Sequence, residues 1–374
     1  MNLLKRDFII REPLLVAILV LITIVFSIFT HIYSQSYDRR RAVLGVQWFE
    51  RGRHDLKDNR AAAAVEDFRT ALLYDPRNWD FGMHLANALM QADHANQALN
   101  YYLSLWQRNP SNGPVNLQLA RLYARKDETG SAERYFNGAV FGDWPGNADE
   151  NRRAASLELI HYYLERGDNG HAESQLILLS GNLPEDPKLH TQVGDLYTRV
   201  GADQRALAQF REALTLDPNY PAAIEGAGEA AFRVGDFRTA HAYVTRSREL
   251  DPTNSTTKNV LGILDAVFTL NPYQQGIAEA QKIERTTHAF DIAGKRLQSC
   301  SQTQQSSVDP FFDRWNQLKA IANARFLKQH PEEIETLLEF TFSAEKLAQT
   351  HCGEPTSEDS ALLAIAHQRE LTNQ

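Results

Sequence analysis

The sequence predicts an all-α protein in which one membrane-spanning helix is followed by a solenoid of stacked helix pairs and a helical C-terminal cap. Three observations predict it. Small and aromatic residues recur with a 34-residue step, residues 13–32 are apolar, and apolar residues beyond residue 310 recur at helical spacing. With 374 residues, 43% of them hydrophobic, the chain can bury a substantial core, which excludes wholesale disorder.

Residues 13–32 are the first predicted element, a membrane-spanning helix. They contain no acidic or basic residue apart from His31, and twenty residues at about 1.5 Å each span a hydrocarbon core of about 30 Å. A signal peptide is the alternative, with Ser34 and Ser36 as a weak cleavage site, but its apolar stretch normally has about 7 to 15 residues. The sequence therefore favours an anchor, preceded by a tail of residues 1–12.

The charges on either side of this segment bear on its orientation. Three basic residues precede it and five follow it closely: Lys5, Arg6 and Arg11 before, then Arg39, Arg40, Arg41, Arg51 and Arg53 after. Taken alone, the positive-inside tendency would leave the bulk of the chain in the cytoplasm. Long folded regions, however, cross membranes largely regardless of their charge. These charges leave both orientations open.

A 34-residue period organises residues 38–288 into six clear units. Two runs of three alanines keep the step, and an aromatic or apolar residue follows each alanine four positions later. The alanines are Ala64, Ala98 and Ala132, then Ala172, Ala206 and Ala240. A seventh, degenerate unit begins near Ser255 and then loses the pattern, as terminal repeats often do. Such a period indicates a solenoid of repeated helix pairs.

Two departures from the period predict local differences. Between Ala132 and Ala172 the step is 40, and the six extra residues lie in a segment rich in Gly, Pro and Asn, which predicts a longer loop. In the first unit, Gly45 stands in the small-residue position but precedes Ala64 by seven more residues than the regular spacing. This predicts about one extra turn on each helix of that unit.

The pattern resembles the tetratricopeptide repeat, most closely from Pro187 onward. The residues on that family's signature positions are Val193, Gly194, Tyr197, Gly201, Ala206, Phe210, Ala213 and Pro218. The resemblance implies two antiparallel helices per unit, stacked into a right-handed superhelix. It also implies that the first helix of each unit lines a concave groove, which binds a protein or an extended peptide.

The same resemblance implies which side chains face this groove. The predicted partner-binding residues are Met83, Asn87, Leu117, Arg121, Arg125, His161, Glu165, Thr191, Asp195, Arg199, Glu229 and Arg233. Its four arginines suit charge-assisted hydrogen bonds to acidic side chains or a C-terminal carboxylate. For any single residue, a simple solvent-facing role is the alternative. The paired lysine and asparagine clamp of some family members is absent, because Met83 takes the lysine position before Asn87.

Residues 289–374 lack the period and are predicted to form a helical capping region that covers the apolar end of the stack. Apolar residues at helical spacing predict helices across residues 311–322 and 334–340, with a last short helix at residues 361–371. The polar run Gln298–Ser307 predicts a loop.

The two cysteines, Cys300 and Cys352, both lie in this region and are predicted to form a disulfide, with two unrelated thiols as the alternative. Closing a loop of about 50 residues would stabilise the fold by roughly 4 kcal/mol on the chain-entropy model. A disulfide persists outside the cytosol. With a looser resemblance to membrane-anchored bacterial repeat proteins, this favours a bacterial inner membrane protein whose bulk faces the periplasm; a cytoplasmic face is the alternative.

Several segments imitate catalytic motifs. Residues 226–231 satisfy G-x-G-x-x-A, but no strand precedes them, and Gly228 lies one 34-residue step after the packing position Gly194. His161 and Glu165 could face one metal, yet no third ligand stands at diagnostic spacing. The net charge of −8 disfavours general nucleic-acid binding. We therefore predict no enzyme, no cofactor, no metal and no nucleic acid, and leave the oligomeric state open.

The function predicted from the sequence is that of a membrane-anchored scaffold or adaptor in the assembly of an envelope complex. A cytoplasm-facing adaptor that regulates a membrane enzyme or protease complex is the alternative, and an enzyme with an unseen site is a remote one.

Overall fold

The computed structural model describes residues 3–301 and 308–372, and every regular element in these ranges is a helix. The helices are α1 (Leu3–Lys57), α2 (Ala61–Tyr74), α3 (Trp79–Gln91), α4 (Ala95–Arg108), α5 (Gly113–Arg125), α6 (Thr129–Val140), α7 (Ala148–Glu165), α8 (Asn169–Ser180), α9 (Pro187–Arg199), α10 (Asp203–Leu216), α11 (Pro221–Arg233), α12 (Phe237–Leu250), α13 (Ser255–Leu270), α14 (Glu279–Ser301), α15 (Asp309–Leu318), α16 (Ala324–Gln329), α17 (Glu333–His351) and α18 (Ser357–Thr372). The chain divides into two compact units, Met1–Tyr162 and Tyr163–Gln374.

Helix α1 is the longest element, with 55 residues. It contains one stretch long and apolar enough to cross a membrane. The mean hydropathy of this stretch is 2.4, and none of it is buried against the rest of the protein. The predicted span at residues 13–32 and the start of the repeats at residue 38 both fall inside this helix, without a break between them. By length and composition the helix suits either a membrane anchor or a signal sequence.

The last turns of α1 form the first helix of the first pair, and its close-packing residue is Gly52. A Cβ atom added at Gly52 would lie 2.7 Å from the ring of Phe68, the same distance that separates an added Cβ at Gly194 from Phe210. Gly52 precedes Ala64 by twelve residues, the regular spacing. The sequence-based assignment of Gly45, with an extra turn on each helix, is therefore wrong. Gly45 instead packs beside Tyr74 and Phe81.

The turn inside each of the six pairs contains one residue in the left-handed region. These residues are Asn59, Asp93, Asp127, Gly167, Gly201 and Gly235, with φ between 58° and 80°. Asparagine, aspartate and glycine are the residues that adopt this conformation most readily. Gly201, one of the signature residues of the resemblance, is thus one member of a repeated feature.

The six extra residues before the fourth pair mainly lengthen a helix rather than a loop. Helix α7 has 18 residues, whereas α5 and α9 have 13 each. The first turn of α7 contains Asp149 and Glu150, whose negative charges stabilise a helix N-terminus. The predicted long loop is therefore reduced to residues 141–147, where Trp144 packs over Gly113.

Helices α14 to α18 form the C-terminal cap. Helix α13 packs mainly against α18 rather than against α14, the helix that follows it. Gln368 Nε2 of α18 donates a hydrogen bond of 2.8 Å to the carbonyl oxygen of Gly235, a turn residue of the sixth pair. The C-terminal helix therefore covers the last repeat helix and reaches back to the preceding pair.

Three details of the cap differ from the sequence-based predictions. The predicted loop Gln298–Ser307 begins inside α14, which continues to Ser301, while residues 302–307 lie outside the described residues. The helix predicted across residues 311–322 ends at Leu318, and a turn separates it from α16. The predicted boundary after residue 288 falls within α14.

The interior of the cap is cross-linked by a disulfide and a buried ion cluster. The Sγ atoms of Cys300 and Cys352 are bonded, joining the end of α14 to the residue after α17. Arg296 Nη1 lies 2.6 Å from Glu345 Oε2, and Arg296 Nε lies 3.8 Å from Asp359 Oδ2. Burial, reinforced by Asp359 and opposed by Arg296, raises the pKa of Glu345 to about 7.

Candidate functional site

The predicted groove residues belong to both compact units, and each set is described by itself. The first-unit surface comprises Met83, Asn87, Leu117, Arg121, Arg125 and His161, on α3, α5 and α7. The second-unit surface comprises Glu165, Thr191, Asp195, Arg199, Glu229 and Arg233, on α7, α9 and α11.

Arg121 of the first-unit surface is already paired. Its Nε lies 2.8 Å from Glu158 Oε2, and its Nη2 contacts Glu158 Oε1, so the two groups form a bidentate pair. This pairing raises the pKa of Arg121 above its ordinary value. A ligand carboxylate would have to displace Glu158, and Arg121 therefore does not offer a free positive charge.

Arg125, one turn further along α5, is exposed and forms no ion pair within residues 3–301 and 308–372. It follows Arg121 by four residues, so the two side chains project from the same side of the helix. The free cation on this surface is therefore Arg125, while Arg121 supplies a neutralised neighbour.

Asn87 combines a structural contact with a free amide. Its Oδ1 accepts a hydrogen bond of 2.6 Å from the hydroxyl of Tyr102, whose burial raises the pKa of that phenol. The amide nitrogen of Asn87 has no hydrogen-bond partner in the part of the chain that the structure describes, and the residue is half-buried. The tyrosine thus orients the amide and leaves its N–H groups available to a ligand.

The other predicted residues of the first unit differ in exposure. Leu117 is 8% exposed and belongs to the core, so it offers a partner little surface. Met83 and His161 are half-buried and remain at the surface of α3 and α7. Among the described residues, no group of three or more His, Cys, Asp or Glu side chains is placed to hold a metal ion.

The second-unit surface contains one free and one paired arginine. Arg199 is exposed and makes no ion pair among the described residues. Arg233 contacts Asp203 Oδ1 at 3.3 Å and also pairs with Glu229. Thr191 is 5% exposed and its hydroxyl donates to the carbonyl of Pro187, so it offers a partner little surface.

The acidic residues of this surface influence each other. Although much of Asp195 is exposed, partial burial of its carboxyl group and the nearby negative charge of Glu229 raise its pKa. Glu165 is exposed at the end of α7. Arg233 also lines a cavity of about 880 Å³ together with His367 and Leu371 of α18. The C-terminal helix therefore borders the second-unit surface.

Sequence reasoning missed Phe49, Arg53 and Glu225. Phe49 and Arg53 lie one 34-residue step before Met83 and Asn87. They were not predicted because the first unit was aligned on Gly45 instead of Gly52. Phe49 packs against Phe81 with ring centroids 4.8 Å apart, and Arg53 Nη1 lies 2.9 Å from Glu50 Oε1. Glu225 is exposed one step after Thr191. The repeat period itself was the signal that could have found all three.

Comparison with known proteins identifies the repeat. The sequence profile described as "Tetratricopeptide repeat" matches residues 49–114. The helix pairs in this range are similar to tetratricopeptide repeats. Together with the all-helical structure, this match gives the chain a tetratricopeptide solenoid fold with an N-terminal apolar helix and a helical C-terminal cap.

Two curated proteins resemble parts of the chain. The general transcriptional corepressor ssn6 of Schizosaccharomyces pombe is 30% identical over 130 residues, which cover 34% of this chain and 11% of the relative. Human tetratricopeptide repeat protein 6 is 25% identical over 201 residues, which cover 52% of this chain and 37% of the relative. The chain therefore spans only a minor part of either relative.

Solved structures give similar matches. YrrB, described as a tetratricopeptide repeat protein with an unusual peptide-binding site, is 17% identical with a TM-score of 0.40, covering 52% of this chain and 98% of its own. The pilF protein of Pseudomonas aeruginosa is 15% identical with a TM-score of 0.39, covering 59% and 97%. PilW, described as a type IV pilus biogenesis factor, is 15% identical with a TM-score of 0.37, covering 58% and 98%.

Proposed function

We propose that this protein is a membrane-anchored scaffold that binds a protein or an extended peptide on its tetratricopeptide repeats. The observation that carries the proposal is the presence of exposed, unpaired arginines on the first helices of the pairs, Arg125 and Arg199. Two other arginines of the same surfaces, Arg121 and Arg233, are held by internal carboxylates. A surface that neutralises some cations and leaves others free suits recognition of carboxylates at defined places on a partner.

The proposal includes a single membrane anchor at residues 13–32 and a role in assembling an envelope complex. Apolar side chains from Val16 to Ile32 are exposed on all sides of α1, which is how a lipid-facing helix differs from a core helix. The bond between Cys300 and Cys352 supports a periplasmic location at a bacterial inner membrane, because disulfides rarely persist in a reducing cytosol. Anchoring raises the local concentration of the bound partner.

The proposed mechanism requires no catalytic group, cofactor or metal. Tetratricopeptide repeats generally mediate protein–protein interaction, and binding on a preformed surface limits the ordering entropy. A second candidate is a cytoplasm-facing adaptor that regulates a membrane enzyme or protease complex. The five arginines that follow the span favour it, since basic residues tend to remain on the cytoplasmic side.

Crosslinking in intact cells, followed by mass spectrometry, tests the scaffold proposal with matched variants. R125A/R199A removes the two unpaired cations, and R77A/R248A removes two exposed arginines outside both surfaces. We expect the first variant to lose most of the crosslinked partner and the second to retain it. Equal recovery from both variants would contradict the assignment of these surfaces.

Orientation is tested separately. A reporter fused after Gln374, assayed on both sides of the membrane, distinguishes the periplasmic scaffold from the cytoplasmic adaptor. Alkylation of Cys300 and Cys352 before and after reduction provides an independent readout. Cysteines that react without prior reduction in freshly lysed cells would favour the cytoplasmic candidate.

A further inference from the structure

The segment that joins the apolar part of α1 to the first repeat is a charged, aromatic collar. It comprises Tyr33, Tyr37, Arg39 and Arg40, which are all exposed. At about 1.5 Å per residue, Arg39 lies roughly 10 Å beyond Ile32, the last residue of the apolar stretch. A headgroup layer of about 5–8 Å lies immediately outside the hydrocarbon core. The collar therefore begins inside that layer and ends just beyond it.

Helix geometry directs these side chains back toward the apolar segment. Every Cα–Cβ bond in an α-helix tilts toward the helix N-terminus, which here is the side of the apolar stretch. Long arginine side chains extend several ångströms further in that direction. Arg39 and Arg40 can thus reach phosphate groups at the height of Tyr33 and Tyr37, whose rings suit the interface between water and hydrocarbon.

The charged side chains of the collar are not neutralised by ion pairs within the described part of the protein. Arg39 and Arg40 form no ion pair among the described residues, and neither does the neighbouring Asp38. Arg41 behaves differently: its Nη2 donates a hydrogen bond of 2.9 Å to the carbonyl oxygen of Leu73, and its guanidinium lies 5.9 Å from the ring centroid of Tyr37. Arg41 therefore links the end of α2 to the collar.

We propose that Arg39 and Arg40, with Tyr33 and Tyr37, bind the phosphate of anionic phospholipid headgroups. This inference rests on the proposed membrane anchor. Guanidinium groups bind phosphate oxygens through paired, charge-assisted hydrogen bonds, and the aromatic rings hold the helix at the correct depth. The site selects an anionic lipid over a zwitterionic one, because the latter carries its own positive group beside the phosphate.

The test uses the full chain reconstituted in vesicles of phosphatidylcholine alone or phosphatidylcholine with phosphatidylglycerol. Electron spin resonance of spin-labelled lipids measures the fraction immobilised by the protein. We expect the wild-type protein to prefer phosphatidylglycerol, and R39Q/R40Q to lose about fivefold in that preference per arginine removed. K57Q/R248Q is the control, since it removes two exposed charges outside the collar and outside both candidate surfaces. Lys57 lies roughly 27 Å beyond Arg39 on the same helix, further than the Debye length of about 10 Å.

Each outcome either supports or contradicts binding of anionic headgroups by Arg39 and Arg40. Loss of preference in R39Q/R40Q alone supports the headgroup site. Equal loss in both variants, or no loss in either, overturns it, as does abolition of the preference by excess inorganic phosphate, which would indicate a general anion site. Flotation of the same samples separates the two proposals: a chain that floats with vesicles but shows no lipid preference contradicts only this inference, whereas a chain that never floats contradicts the anchor and the inference together.

Discussion

The two compact units carry the same packing scheme, but the residue that directly follows the close-packing position is basic or neutral in the first unit and acidic in the second. In the first unit these residues are Arg53, Asn87, Arg121 and His161. In the second unit they are Asp195 and Glu229. Gly52 and Gly194 meet Phe68 and Phe210 at the same distance, so the preceding column is fixed by packing. The fold therefore constrains one column of residues, while the next column differs in charge between the two units.

The units also differ in how their ion pairs are buried. Arg121 and Glu158 of the first unit keep 41% and 37% of their side chains exposed, whereas Arg296 and Glu345 of the second keep 7% and 0%. Water screens the first pair and does not reach the second. Removing one partner should therefore have very different consequences in the two units.

The largest expected effect comes from Arg296→Ala. It leaves Glu345 and Asp359 buried without their cation, which should lower the free energy of unfolding of the second unit by about 3–5 kcal/mol. Arg121→Ala should lower that of the first unit by less than about 1 kcal/mol. Hydrogen exchange of the full chain, followed in α14 and in α5, measures each unit locally. Similar losses in both would remove the distinction between the two pairs.

The second effect is a dependence on pH. Glu345 has a pKa of about 7 in the folded chain against an ordinary value of 4.5, so the folded state holds its proton more tightly. The stabilisation is complete below pH 4.5 and is lost as the pH rises through 7, a change of about 3 kcal/mol. Exchange in α17 should accelerate from about pH 5 to about pH 8 after correction for intrinsic rates, and E345Q should remove this change. A wild-type chain whose exchange in α17 does not change with pH would contradict the raised pKa of Glu345.

A third, smaller effect tests the shared column. Gly52→Ala and Gly194→Ala should each destabilise their unit by about 1–3 kcal/mol, because the added methyl group meets a phenylalanine ring. Gly130→Ala serves as the control, since an added Cβ there has no neighbour within 4 Å. Thermal unfolding should show equal losses at the two matched glycines. A neutral Gly52→Ala would return the first unit to the register based on Gly45.

The smallest effect concerns charge preference and rests on the proposed function. D195N/E229Q should weaken binding of a lysine-rich peptide to the full chain by about three- to tenfold at low salt. R125Q should weaken binding of a glutamate-rich peptide by a similar factor. Fluorescence anisotropy with both peptides checks this, and R248Q is the control. Loss of both peptides in every variant would show that the two surfaces do not differ in preference.

The sequence predicted the helix pairs, their small and aromatic columns, and the C-terminal cap, because these follow from local periodicity. It placed the first unit wrongly because Leu44 and Gly45 imitate Val193 and Gly194, while Arg51 precedes the true position at Gly52. Stepping back 34 residues from Ala86 reaches Gly52, so the correct register was accessible.

The state of the candidate binding residues was not accessible in the same way. Arg121 is neutralised by Glu158, 37 residues away, and Arg233 by Asp203, 30 residues away. Such pairings depend on side-chain geometry between neighbouring repeats, which periodicity does not encode. The extension of α7 was missed for another reason: Gly and Pro near residue 145 suggested a loop, although the acidic and small residues after them form a good helix start.

The reliance of α13 on α18 has a consequence for how the chain emerges from the ribosome. Helix α13 ends at Leu270, and α18 begins 87 positions later at Ser357. At bacterial or eukaryotic synthesis rates of about 5–20 residues per second, the nascent chain waits roughly 4 to 17 s before the covering helix exists. A chain truncated within that interval leaves one apolar face of α13 exposed to solvent. Chaperones and proteases recognise such exposed apolar surface on incomplete chains.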